Sequence, residues 1–234
     1  MKKLFTAALS GFLLLLIIGA CLQRNALACE FLPVLGYKNL DDQTYIAHDI
    51  TLEDYEFLRQ SVLSASERIS KVYGKPASQP RIFITSDLET AERWGANDTA
   101  SMHRLPWRSC IVVGPKGQST DVIAHEWLHA EIQHRVGFLR FLNEIPIWFD
   151  EGAALTLDYR EPFLPEHIDI PDNIVTSVKH LSSGPDFFND NIKENYQAAR
   201  VAVIPLINTE SFFQDLGRIA DGEDFDTVFL TTKN

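Results

Sequence analysis

The stretch His125-Glu126-Trp127-Leu128-His129 constrains this chain more than any other part of it. Two imidazoles four residues apart share a face only if the segment is helical, and there they can bind one metal ion with the Glu126 carboxylate beside it. The flanks agree with a helix. Thr120-Asp121 supplies a hydroxyl cap and an acid at the start, while Val122, Ile123, Trp127, Leu128, Ile132 and Val136 recur at helical spacing and Gly137 ends the pattern.

An ion that activates water needs a third protein ligand and one open position. An extension of the same helix by a glycine and a third histidine is excluded, because Ile132 and Arg135 occupy those places. His134 is rotated off the ligand face and reads as a surface residue. The better source is the segment Ile145-Pro146-Ile147-Trp148-Phe149-Asp150-Glu151-Gly152-Ala153-Ala154, which begins a second helix after a short connection. Glu151 and Asp150 compete within it. A helix turns about 100° per residue, so the two carboxylates cannot face one ion equally.

His-Glu-x-x-His followed by Pro-x-Trp-x-x-Glu-Gly-x-Ala resembles the gluzincin metallopeptidases, the peptidase MA-like group. The resemblance is specific over residues 121–154 and weaker over roughly 50–230. It implies an α+β, zincin-like fold with a small sheet packed on helices, the motif helix at the floor of a cleft and a helical C-terminal half. It further implies one zinc ion per chain held by His125, His129 and Glu151, with Glu126 as general base and a peptide or protein as substrate. Tyr196, on the expected helix around Glu194 to Val203, is the candidate donor to the oxyanion. Gly152 and Ala153 would be small because two helices cross closely there. In such folds an edge strand lies along the cleft, and Ile111 to Val113 are the candidates.

The N-terminus reads as a targeting segment over residues 1–28. Lys2 and Lys3 precede an apolar run from Leu4 to Leu22, and Ala26-Leu27-Ala28 is an Ala-x-Ala cleavage site. Ile18-Gly19-Ala20-Cys21 also resembles a lipoprotein signal, which would lipidate Cys21, and the run is long enough to serve as an anchor. Each fate exports residues 29–234 as one peptidase-like domain, to the periplasm, the cell envelope or the medium. Cys29 and Cys110 are then a candidate disulfide in an oxidising compartment. The chain carries 32 acidic against 21 basic residues, which disfavours nucleic acid as a partner. Membrane contact is expected only through the N-terminal lipid or anchor, and the sequence leaves the oligomeric state open.

Coarse periodicity places helices over Leu52 to Tyr73, Leu88 to Trp94, Ile147 to Tyr159 and Ile192 to Ile207, with strands over Arg81 to Thr85 and Cys110 to Val113. Asp121 and Asp158 are candidates to orient the histidines from behind. His103, Arg104, Trp107 and Arg108 are candidates to line the cleft.

Overall fold

The computed structural model describes Gly19, residues 23–181 and residues 183–231. Most of the targeting segment, Cys21 included, lies outside the described residues. Among those described, no helix is long and apolar enough to cross a membrane.

A five-stranded sheet forms the N-terminal half. Its strands are β1 (Lys38–Asn39), β2 (Thr44–Ile46), β3 (Arg81–Ile84), β4 (Ala100–Arg104) and β5 (Ser109–Val113), in the spatial order β1-β2-β3-β5-β4. β2, β3 and β5 run parallel, while β1 and β4 are antiparallel to their neighbours. The helices are α1 (Arg24–Glu30), α2 (Leu52–Tyr73), α3 (Leu88–Arg93), α4 (Thr120–Val136), α5 (Phe138–Glu144) and α6 (Ile147–Leu155). They continue as α7 (Asp172–Val178), α8 (Gly184–Phe187), α9 (Ile192–Val203) and α10 (Phe212–Ala220).

Alternation along the parallel strands explains why they read as unbroken apolar runs. Ile82, Ile84, Ile111 and Val113 point into the core shared with α2 and α4, whereas Phe83, Cys110 and Val112 point to the other face with Cys29, Leu32 and Ala91. Both faces are therefore covered. α2 is set by Thr51, whose side chain accepts from the Asp54 N–H, and by Gly74 at φ 99°, a conformation that favours glycine. Its buried stripe Leu58, Val62, Ala65, Ile69 and Tyr73 packs into the same core. On the opposite face, Cys29 of α1 stands at disulfide distance from Cys110 of β5, with Cα atoms 6.2 Å apart, within the range such a bridge requires. The Ala-x-Ala site falls within α1, where Ala26 is buried.

Three expectations need correcting, one being the helix placed over Ile192 to Ile207, which ends at Val203. β5 is not an edge: Ile111 pairs with Ile82 on one side and Met102 on the other, so among the described residues the edges are β4 and β1. β4 escaped the sequence reading because Ser101 to Arg104 are half-buried polar and mixed residues without a clean alternation. The helix beginning at Ile147 ends at Leu155 and not at Tyr159. Arg200 of α9 intervenes there, donating to the Asp158 carbonyl at 2.9 Å and, at 2.6 Å, to the Leu155 carbonyl that a longer helix would have paired with the Tyr159 N–H.

Candidate metal centre

α4 begins where the Ser119 hydroxyl accepts from the Val122 N–H, one residue before the expected Thr120, and ends at Gly137 with φ 86°. Eleven of its 17 residues are buried, and His134 is exposed. His125 and His129 project from one face, with their Nε2 atoms 3.1 Å apart.

The third member arrives from α6. Trp148 and Phe149 are locked into an aromatic core, where Phe149 meets the rings of Phe212, Phe225 and Phe229. Gly152 faces α9 so closely that a Cβ would run into the Ala199 carbonyl and the Val203 side chain. With those positions committed, the helical turn leaves Glu151 facing α4. Its Oε2 lies 3.4 Å from His125 Nε2 and 3.5 Å from His129 Nε2. His125, His129 and Glu151 thus form a buried group able to hold a metal ion.

Asp150 does not join that group. Its Oδ1 sits 3.0 Å from Nδ1 of His129, on the far side of the ring, and its Oδ2 accepts from Arg104 at 3.2 Å. Nδ1 of His129 and Oδ1 of Asp150 approach closely without forming a hydrogen bond. Asp158 Oδ2 is 3.8 Å from His125 Nδ1 and is itself held by Arg160. Asp121 faces elsewhere: it pairs with Arg68 and accepts from the Tyr159 N–H at 3.0 Å. Sequence reading therefore missed Asp150 as the partner of His129, because it weighed that residue only as a rival ligand. The adjacent acidic pair was the available signal, since neighbours 100° apart on a helix can reach an imidazole from two sides.

The charges reinforce one another. Burial alone would raise the Glu151 carboxyl, but the two imidazoles hold it well below the ordinary carboxylate range. Burial likewise opposes a proton on His129, and is outweighed by the negative charges of Asp150 and Glu151, which raise its pKa well above the usual histidine value. Glu126, partly buried beside the pair, is raised by its burial despite the attraction of both histidines. The group is a set of electron-pair donors that proton sharing satisfies only in part. Glu151 Oε2 is buried without a hydrogen bond.

Tyr196 of α9 stands with its ring against Phe163, Phe187 and Phe188. Its hydroxyl pKa is pushed far up, first by burial and then by the negative charges of Glu151 and Glu126, so it shares their electrostatic neighbourhood. Of the four residues expected along the cleft, Arg104 reaches the site through Asp150. His103 instead bonds the Trp94 carbonyl at 2.9 Å, Arg108 pairs with Glu30 and Gln43, and Trp107 is exposed. No known protein family, curated protein or solved structure matches this chain.

Proposed function

We propose that the protein is an exported zinc-dependent metallopeptidase of gluzincin type, with His125, His129 and Glu151 as the ligands. The observation that carries this reading is the convergence of the three donor atoms. A tetrahedral ion with bonds of about 2.0–2.1 Å separates its ligands by about 3.3–3.4 Å, and zinc is smaller than calcium, which takes about six to eight oxygen ligands in place of imidazoles. The separations of 3.1, 3.4 and 3.5 Å fit the smaller ion, and two imidazoles with one carboxylate are the donors it favours.

A bound zinc ion would supply Lewis acidity, lowering the pKa of a water molecule and polarising the scissile carbonyl. Glu126 would accept that water's proton and pass it to the leaving amine. Tyr196, protonated at any physiological pH, is a hydrogen-bond donor to the oxyanion as negative charge develops. Asp150 and Asp158 stand behind the two imidazoles, where each would accept from an Nδ1–H, and Arg104 of β4 bonds Asp150. β4, an edge strand among the described residues and the one that carries Arg104, would take an extended peptide.

Export is supported by the apolar N-terminal run and by the Cys29 and Cys110 pair, which an oxidising compartment would close. The test of the catalytic reading is Glu126→Gln assayed on a peptide library beside wild type. Zinc content and melting temperature should survive while cleavage falls by about 100-fold or more. An equally active variant would remove Glu126 as the base, and a wild type that cuts nothing would leave a zinc-binding envelope protein with a partner in the same groove.

A further inference from the structure

The chain is acidic overall, at net charge -11, yet its first 29 residues hold Lys2, Lys3 and Arg24 and no acid. The apolar run Leu4 to Leu22 ends immediately before Gln23 and α1. α1 is docked: Ala26 and Cys29 are buried, as is Leu32 just beyond it. Around Leu32 the burial reverses. Phe31, Val34 and Leu35 are 59%, 78% and 50% exposed, and Pro33 and Gly36 are exposed with them.

Residues 31–36 carry no charge, exposed Arg24 precedes them and exposed Lys38 follows. The one acid ahead of Asp41 is Glu30, and it is turned inward, 3.7 Å from both Arg81 and Arg108. Single exposed apolar side chains are ordinary on soluble proteins, but three in one short turn, flanked by cations and free of outward acids, need a cover. At about 1.5 Å per helical residue, the eight steps from Gln23 to Phe31 span about 12 Å. The apolar tip therefore lies within about 12 Å of the place where the apolar run meets the domain.

We propose that the tip formed by Phe31, Val34 and Leu35 seats in the headgroup layer of an anionic membrane. The apolar side chains enter the interface, Arg24 and Lys38 lie level with the lipid phosphates, and the acidic remainder of the domain is held off the surface. Because α1 is tied to the sheet at Cys29 and Cys110, the contact fixes how the whole domain sits over the bilayer. This requires α1 to remain in the mature protein, so processing falls before Arg24 and not at Ala28.

The test uses the full chain in vesicles of phosphatidylcholine and phosphatidylglycerol, with bromine carried on the lipid chains as a fluorescence quencher. Val34→Trp should show added emission, relative to wild type, that is blue-shifted and at least twofold quenched by the brominated lipid. Ile204→Trp, an exposed position at the end of α9, should add emission that is not quenched. Added Val34→Trp emission that is unquenched and water-like would overturn the proposal. Blue-shifted but unquenched emission would also overturn it, by assigning the tip to a protein surface or a second copy of the chain. A mature protein beginning at Cys29 would overturn it independently of fluorescence, since Arg24 and the junction with the run would be gone. None of these readouts depends on metal or on peptide cleavage.

Discussion

The two faces of α4 handle buried charge in opposite ways. On one, Glu131 is fully buried, and its carboxylate accepts from the backbone N–H groups of Ala77 and Ser78, at 2.7 to 3.0 Å, and from Arg135. On the other, Nδ1 of His125 and His129 and Oε2 of Glu151 are buried without hydrogen bonds. A protein interior tolerates a carboxylate when every lone pair has a partner, so Glu131 is architecture, tying α4 to the loop before β3. The two Nδ1 atoms face Asp158 and Asp150 behind the rings, whereas Oε2 of Glu151 lies between the Nε2 atoms with no partner that packing explains. A metal ion held by the three residues is what could satisfy that oxygen.

Variants can sharpen that contrast. The largest effect after loss of the general base is expected from Tyr196→Phe, which removes a donor acting on charge that exists only in the transition state. kcat should fall roughly 10- to 1000-fold with KM, zinc content and melting temperature nearly unchanged. An unchanged kcat beside a lowered melting temperature would make Tyr196 a packing residue among Phe163, Phe187 and Phe188 and would break its link to the metal face.

Asp150→Ala should act through His129. Loss of an outer partner of a ligating histidine typically weakens metal affinity by about 10- to 100-fold, so competition with a chelator should strip zinc from the variant at correspondingly lower chelator concentration. Wild-type affinity in the variant would show that the 3.0 Å approach to His129 contributes nothing to binding.

Glu131→Gln addresses the opposite face. It should cost on the order of 1.5–3 kcal/mol of stability, read from denaturant unfolding, because a charged acceptor of two backbone N–H groups and Arg135 is lost. Zinc affinity should stay unchanged. A drop in zinc affinity as large as that of Asp150→Ala would mean that the two faces are not separable.

The sequence made one face of α4 readable and left the other silent. His125, Glu126 and His129 carry a spacing with chemical meaning, and Glu151 stands in a pattern with its own glycine and alanine. Glu131 has no such pattern, since its partners are backbone N–H groups some fifty residues upstream that no side-chain motif announces. Helix boundaries were legible where caps are local, as at Thr51 and Gly74 for α2. They were not where a distant residue decides, as when Arg200 takes over the carbonyls at the end of α6. Strand positions followed the same rule. β3 and β5 are apolar on both faces and read plainly, while β4, at an edge, and the short β1 and β2 depend on pairing that only the folded chain supplies.

The central claim is that Glu151 completes a metal site with His125 and His129, and elemental analysis of the purified protein tests it most directly. Wild type should carry one zinc per chain, and Glu151→Ala should carry almost none while keeping a cooperative unfolding transition. Full zinc occupancy in Glu151→Ala would contradict the account, removing Glu151 from the coordination sphere and returning Asp150 to it.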